Sequence, residues 1–146
     1  MWPTTIMIDK KNGHLIISNK IHIKPNDLKK DILSLKLGQT RDERDLKNDW
    51  TGLIEKNICV GDKFFILDFS FFKNKLKTVS IIFQETLFDV KNGWESWTEE
   101  KELLKLKLFK KWLTAEIGKE RDFDWGVAEV GYDKIGGYSS IVIRYT

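Results

Sequence analysis

The two histidines, His14 and His22, are the residues of this sequence best suited to acid–base chemistry. An imidazole changes its charge near neutral pH, so two of them can serve as base and acid in metal-free RNA cleavage. His22 alternates with Ile21 and Ile23, which points its side chain to the opposite face of a strand from both. Because strand spacing does not show whether side chains converge, we expect two ordinary strand histidines, one exposed and one half-buried. A ribonuclease that uses both remains an alternative function.

Metal, phosphate and thiol chemistry have weaker support in the sequence. The carboxylates within residues 42–45 and 121–124 match no calcium-loop spacing and no H-x-x-x-H pattern occurs, so we expect no metal and no cofactor. The K-I-G-G-Y segment at 134–138 lacks a Gly-Lys-Ser/Thr signature and precedes a strand, which predicts a turn. Cys59, the only cysteine, has no nearby histidine and is predicted to be a small buried side chain.

The aromatic residues within 64–72 alternate with other residues and are flanked by Lys63, Lys73 and Lys75. Such a run could stack nucleic-acid bases, but aromatic side chains that alternate along a strand more often face the core. Lysine and arginine number 25 against 22 acidic residues, and the charges are mixed along the chain with no basic stripe. We therefore expect no direct nucleic-acid binding and keep a small nucleic-acid binding module as a further alternative.

The length of 146 residues fits one domain, 1–146, and the apolar content of 41% is enough for a core without disulfides or metal. The N-terminus lacks the basic and apolar regions of a signal peptide, and no run approaches the roughly 20 apolar residues that span a membrane. The sequence therefore predicts a cytoplasmic protein that has no membrane partner.

The first half of the chain predicts mainly strands. Residues 4–9 and 14–23 flank Asn12-Gly13, a strong hairpin signal. A short helix at about 26–36, capped by Asn26 or Asp27, follows, and the polar residues 39–49 indicate an exposed loop. Residues 50–60, 63–72 and 75–84 then alternate apolar and polar side chains, as neighbouring antiparallel strands do.

The second half predicts a long helix, about 98–117, followed by two strands. Ser96 or Thr98 can cap the helix, acidic residues occupy its first turns and Gly118 ends it. Its apolar sector is unusually wide, so we expect a sheet to cover most of it. A strand at 123–132 with a register shift near Ala128-Glu129 and a strand at 139–146 complete the chain.

Together these elements predict an α+β fold: a single domain with one curved antiparallel sheet of about six or seven strands, one long helix (about 98–117) and one short helix (about 26–36). Short connections between strands favour antiparallel pairing, and the long helix is expected to cross one face of the sheet.

The C-terminal part carries a recognisable order of motifs: W-x-x-W, E-E-K-E-L-L-K-L-K, K-W-L followed by I-G, and F-D-W-G-V-A-E-V-G-Y-D-K-I-G-G-Y-S-S-I-V-I-R-Y. This order resembles the small bacterial immunity proteins of contact-dependent growth inhibition and related polymorphic toxin systems, most clearly over residues 92–146. The resemblance implies a protein that is not an enzyme. It would bind one cognate toxin domain, typically a nuclease, and block its active site or substrate surface.

Electrostatics suggests where such a toxin would bind. A nuclease needs a basic cleft for phosphates, and an inhibitor gains rate and specificity by presenting acid beside an aromatic anchor. Two groups in the sequence fit this description: Trp94, Glu95, Trp97, Glu99, Glu100 and Glu102 form the first, and Asp122, Asp124, Trp125, Tyr132 and Asp133 form the second. The alternative for the first group is structural, since glutamates stabilise a helix start and tryptophans before a helix commonly enter the core.

Overall fold

The computed structural model describes residues 6–18, 20–88, 98–133 and 138–146, with the side chain of Asp133 left out. A three-stranded antiparallel sheet contains β1 (Met7–Ile8), β2 (Leu15–Ser18) and β3 (Ile21–Ile23) in that order. A seven-stranded antiparallel sheet contains, from edge to edge, β4 (Thr40–Lys47), β5 (Trp50–Val60), β6 (Lys63–Phe72), β7 (Lys75–Gln84), β10 (Tyr138–Tyr145), β9 (Gly126–Asp133) and β8 (Asp122–Phe123). The helices are α1 (Lys29–Ser34) and α2 (Glu99–Ile117). The predicted α+β class is confirmed, and the described residues contain ten strands divided between two sheets.

Alternation along the central strands creates the core. In β6 the side chains of Phe65, Leu67, Phe69 and Phe71 are buried, and in β7 those of Leu76, Val79, Ile81 and Phe83. The residues between them point to the other face and are half-buried. The turn between β6 and β7 places Lys73 and Asn74 at φ values of 51° and 67°, the left-handed geometry that tight hairpins need.

The N-terminal hairpin packs onto the same core. Tyr145 of β10 donates a 2.6 Å hydrogen bond to the carbonyl of Gly13. The backbone N–H of Ile8 donates to the carboxylate of Glu116 on α2 at 3.0 Å. Ile8, Leu15 and Ile23 join the residues of the large sheet in one hydrophobic cluster, so both sheets share a core.

The predicted loop at 39–49 is wrong, because residues 40–47 form β4, paired antiparallel with β5. Every residue of β4 is exposed, so the sequence correctly indicated exposure but not conformation. An edge strand is held by backbone hydrogen bonds to its neighbour, and it needs no buried side chain for that. The apolar alternation that identifies other strands is therefore missing here.

The short helix is confined to Lys29–Ser34 and lacks the predicted cap. Leu28 occupies the N-cap position without a side-chain hydrogen bond, while the carboxylate of Asp27 accepts from the N–H of Lys24 at 2.8 Å. The preceding residues pair with β7 instead, since the N–H of Asn26 donates to the carbonyl of Leu76 at 3.0 Å. This pairing delays the start of the helix.

The long helix begins and ends as predicted. The hydroxyl of Thr98 accepts from the N–H of Lys101 at 3.1 Å, and Gly118 ends the helix with φ at +80°. The expectation that a sheet covers most of it is wrong, because only the side of Phe109, Leu113 and Ile117 is buried. Leu104 and Leu108 remain 60% and 50% exposed. A sheet packs against one side of a helix only, and the described chain has no second layer on the other side of α2.

Two local predictions in the sheet are also wrong. Cys59 is exposed, because a bulge between Glu55 and Ile58 exchanges the inward and outward positions of β5. The predicted register shift at Ala128-Glu129 does not occur, since β9 pairs regularly with β10 along its whole length. The predicted strand is interrupted earlier, where a turn separates β8 from β9 and Gly126 takes a φ of +146°. A Cβ at Gly126 would overlap the carbonyl of Arg144.

Candidate partner-binding surface

The two histidines lie on one face of the three-stranded sheet. His22 pairs directly with Ile16, and His14 precedes Ile16 by two residues, so all three share the face opposite the buried Leu15 and Ile23. His22 is exposed and His14 is half-buried, as predicted. Their diagonal positions on adjacent strands correspond to a separation of about 7–8 Å between backbones.

Metal ligands do not cluster in the described part of the chain. Within residues 6–18, 20–88, 98–133 and 138–146, no group of three or more His, Cys, Asp or Glu side chains could hold an ion. In the same ranges, no helix combines the length and apolar character needed to cross a membrane.

The start of α2 carries part of the first predicted acidic group. Glu99 and Glu100 are exposed there. Glu102 is buried, and its carboxylate accepts from the N–H of Ser139 at 3.0 Å and lies 3.3 Å from the ammonium of Lys105. The carboxylate of Glu102 is therefore occupied in joining α2 to β10. Trp94, Glu95 and Trp97 lie outside the described residues.

The second predicted group is divided between the two ends of β9. Asp122 and Asp124 are exposed beside the turn that opens the strand, whereas Tyr132 lies near its far end. Asp122 lies opposite Val127, five residues from Tyr132, and β9 begins six residues before Tyr132 at Gly126, which corresponds to about 17–20 Å along the strand. Tyr132 pairs with Ser139, which binds Glu102, so the structure places Tyr132 near the start of α2. Asp133 follows Tyr132 in β9, but its side chain is not described.

Trp125 makes contacts within the chain. Its ring stacks on Phe123 at 4.8 Å between centroids and 3° between planes. Its indole N–H donates to the carbonyl of Lys10 at 2.9 Å, and the ring covers Gly13. These contacts join the turn of the N-terminal hairpin to the C-terminal strands, which gives Trp125 a structural role.

A larger surface was not predicted from the sequence: the face of the seven-stranded sheet that points away from α2 and the small sheet. We call it the outer face. Strand register assigns to it alternate residues of the sheet, and those on β5, β6, β7, β9 and β10 include Trp50, Gly52, Ile54, Ile66, Asp68, Ser70, Phe72, Thr78, Ser80, Gly131, Ser140 and Val142. A one-sided sheet usually carries polar residues on its wet face. Consecutive apolar residues, such as Leu53-Ile54 and Ile81-Ile82, indicate in the sequence that apolar side chains lie on both faces of the sheet.

One end of the outer face is aromatic. Trp50 and Phe72 lie 5.3 Å apart between ring centroids, and the ammonium of Lys73 lies 5.5 Å from the centre of the Phe72 ring. Leu46, which is 44% exposed, lies over Gly52 beside them. Partly exposed aromatic rings beside a cation are typical anchors of protein interfaces.

The other end of the outer face is a shallow depression of about 360 Å³. Small and hydroxyl-bearing residues form its floor: Thr78, Ser80, Gly131 and Ser140. An ion pair between Glu129 and Arg144 borders it, and Tyr138, which is 41% exposed, also lines it. The space above Gly131 is open, because a Cβ built there meets no atom within 4 Å. This floor can accept a protruding loop or side chain.

The charges of the outer face have partners within the sheet. Arg44 reaches across Gly52 to Asp68, with 3.5 Å between the charged atoms. Burial raises the pKa of Asp68, although the charge of Arg44 opposes that change. Because Asp68 and Glu129 each have a counterion, a partner can cover them without supplying one.

No family model, curated protein or solved structure matches this chain.

Proposed function

We propose that the protein is an immunity protein that binds one cognate toxin domain, a nuclease, and blocks its active site or substrate surface in the cytoplasm. The observation that carries this proposal is the outer face, which has an aromatic end and a hydroxyl-lined depression. Such a combination suits a protein partner, because rings supply anchors and small polar residues supply shape complementarity. The resemblance of residues 92–146 to immunity proteins supports the same function.

The acidic residues at the start of α2 add an electrostatic argument. Glu99 and Glu100 are exposed, and the contact between Glu102 and Ser139 places them near the end of β10 that leads into the depression. A nuclease presents basic residues around its substrate cleft. Exposed acid at the rim of an interface accelerates association with such a surface. On this proposal, toxin binding occupies the depression and extends toward these two glutamates.

The direct test is co-expression with the product of the reading frame immediately upstream, which this proposal predicts to contain the toxin domain. We expect that domain to stop growth when expressed alone and to be harmless when this protein is present, with a 1:1 complex after purification. A product that is harmless alone, or that stays toxic beside this protein, contradicts the proposal.

A bulky side chain in the depression tests where the toxin binds. Gly131→Arg fills open space and removes no contact, so stability should stay unchanged while toxin affinity falls at least about tenfold. Calorimetric titration and thermal unfolding measure the two quantities. The control is Ala115→Arg on the exposed side of α2, which should bind like the wild type. If Gly131→Arg binds equally well, the interface lies elsewhere.

A metal-free ribonuclease is the second candidate, favoured by the placement of both imidazoles on one face of the three-stranded sheet. It predicts RNA cleavage in the presence of a chelator that disappears in the double variant His14→Ala, His22→Ala. Cleavage that survives this double substitution, or its absence in the wild-type protein, excludes the candidate.

A further inference from the structure

The edge strand β4 has a feature that the proposed function does not use. Among the described residues it pairs with β5 along one side only, and all eight of its residues are exposed. The other side of such a strand presents backbone N–H and C=O groups to solvent. Natural proteins commonly protect an edge of this kind with charged side chains, and β4 carries five charged residues in succession, Arg41 to Asp45.

The long charged side chains of β4 turn back onto their own sheet. Arg41 contacts the buried carboxylate of Glu55 at 3.1 Å. Glu43 pairs with Lys29 of α1 at 3.0 Å. Together with Arg44, which reaches Asp68 on the outer face, these contacts direct the side chains over the two faces of the sheet. They therefore leave the backbone of the edge accessible.

The order of positive and negative side chains along β4 is complementary to the same order on an antiparallel copy of β4. We infer that β4 pairs antiparallel with β4 of a second copy of this chain, around a two-fold axis at Glu43. A two-fold axis perpendicular to the sheet places residues of the same face opposite each other. Asp42 of each copy then faces Arg44 of the other on the outer face, and Arg41 faces Asp45 on the inner face. Each arginine keeps its carboxylate in its own chain, Asp68 or Glu55, and its remaining N–H donors serve the second copy.

Neighbouring registers are less favourable. A two-fold axis at Arg44 places two arginines opposite each other and sets Glu43 against Asp45. A two-fold axis at Asp42 places two aspartates together and retains only the pairs between Arg41 and Glu43. The proposed register therefore has four complementary pairs and a single like-charge contact, between the two Glu43 residues, each of which keeps its Lys29 partner.

The expected dimer is weak and continues the sheet from seven strands to fourteen. One pair of edge strands buries a small interface, below about 1,200 Å², so we expect dissociation on dilution. Sedimentation velocity over a concentration series should show a mass that rises from 17.2 kDa toward twice that value. A wild-type protein that stays monomeric at the highest concentrations overturns the inference.

Charge reversal tests the register. Asp42→Arg and Arg44→Asp each place like charges opposite each other, so each variant alone should self-associate at least about tenfold more weakly than the wild type. An equimolar mixture of the two variants should restore dimers, because each chain then carries the complement of the other. Glu120→Arg, an exposed change of the same charge as Asp42→Arg, is the control and should dimerise normally. Undiminished dimers of Asp42→Arg contradict the inference.

Cross-linking locates the two-fold axis independently. In a Cys59→Ser background, Glu43→Cys brings two thiols together at the axis, and oxidation should yield a covalent dimer. Arg41→Cys in the same background faces Asp45 of the other copy and should remain uncrosslinked. A dimer in which Arg41→Cys crosslinks and Glu43→Cys does not shows that the strands pair in another way.

Discussion

At the scale of single residues, Glu55 shows how the protein holds its edge strand. Its carboxylate is fully buried and accepts from the N–H of Gly38 and from Arg41, each at 3.1 Å. Its second oxygen has no hydrogen-bond partner in the described chain. Burial raises the pKa of Glu55, although the bond from Gly38 and the charge of Arg41 oppose that change. The core therefore disfavours the charged form of the carboxyl that anchors β4.

This raised pKa gives a pH prediction. A carboxyl with a higher pKa in the folded state penalises folding above that pKa, and the penalty disappears as the pH falls toward the unfolded value near 4.5. Glu55→Gln removes the penalty at every pH. The gain in stability of Glu55→Gln over the wild type should therefore be largest at neutral pH and should decrease as the pH falls.

Urea unfolding at several pH values between 7 and 4.5 measures this difference. Glu100→Gln, an exposed change of the same kind, supplies the baseline. A gain in stability of Glu55→Gln that grows on acidification would contradict burial as the cause of the raised pKa of Glu55.

At the scale of elements, α2 presents one buried side to the sheet. Phe109 is fully buried and its ring lies 4.9 Å from that of Phe83 in β7. Trp112 lies at the border, half-buried, with its ring 5.7 Å from Phe83. The apolar residues on the exposed side, Leu104 and Leu108, widen the pattern in the sequence without entering the core.

Truncation at neighbouring positions of α2 distinguishes the two sides. Phe109→Ala leaves a cavity under the helix and should lower the free energy of unfolding by about 3–5 kcal/mol. Leu108→Ala, one residue away and half exposed, should cost less than about 1 kcal/mol. Chemical denaturation of both variants measures the two losses of stability. Equal losses would show that Phe109 and Leu108 do not lie on a buried and an exposed side of α2.

At the scale of the whole molecule, Gly13 and Trp125 connect the two sheets. Gly13 takes a φ of +75°, and a Cβ there would come within 2.5 Å of the Trp125 ring. The same turn accepts hydrogen bonds from the indole of Trp125, at Lys10, and from the hydroxyl of Tyr145, at Gly13. A small change in this turn therefore affects the N-terminal hairpin and the C-terminal strands together.

Gly13→Ala tests this connection. The substitution strains the backbone and displaces the indole, so we expect a loss of about 2–4 kcal/mol in the free energy of unfolding. Because both sheets share one core, near-ultraviolet and far-ultraviolet signals should still change in a single transition. Gly131→Ala, at an open position, is the matched control and should change stability by less than about 0.5 kcal/mol. Separate transitions for the two signals would mean that the sheets unfold independently.

The sequence determined those features whose causes are local. The alternation in β6, the cap at Thr98 and the stop at Gly118 each depend on interactions within a few residues, so the pattern of residue types was sufficient. The α+β class followed from the order of these elements and their short connections.

Tertiary structure alone decided the features that depend on distant partners. β4 is a strand because β5 supplies its hydrogen bonds, Cys59 is exposed because of an upstream bulge, and Trp125 packs on a turn over 100 residues away. It also divided the second acidic group between the two ends of β9 and formed the depression on the outer face. A sequence specifies the type of each side chain and its immediate neighbours, whereas pairing and burial are free energies of contact between segments that only the folded chain brings together.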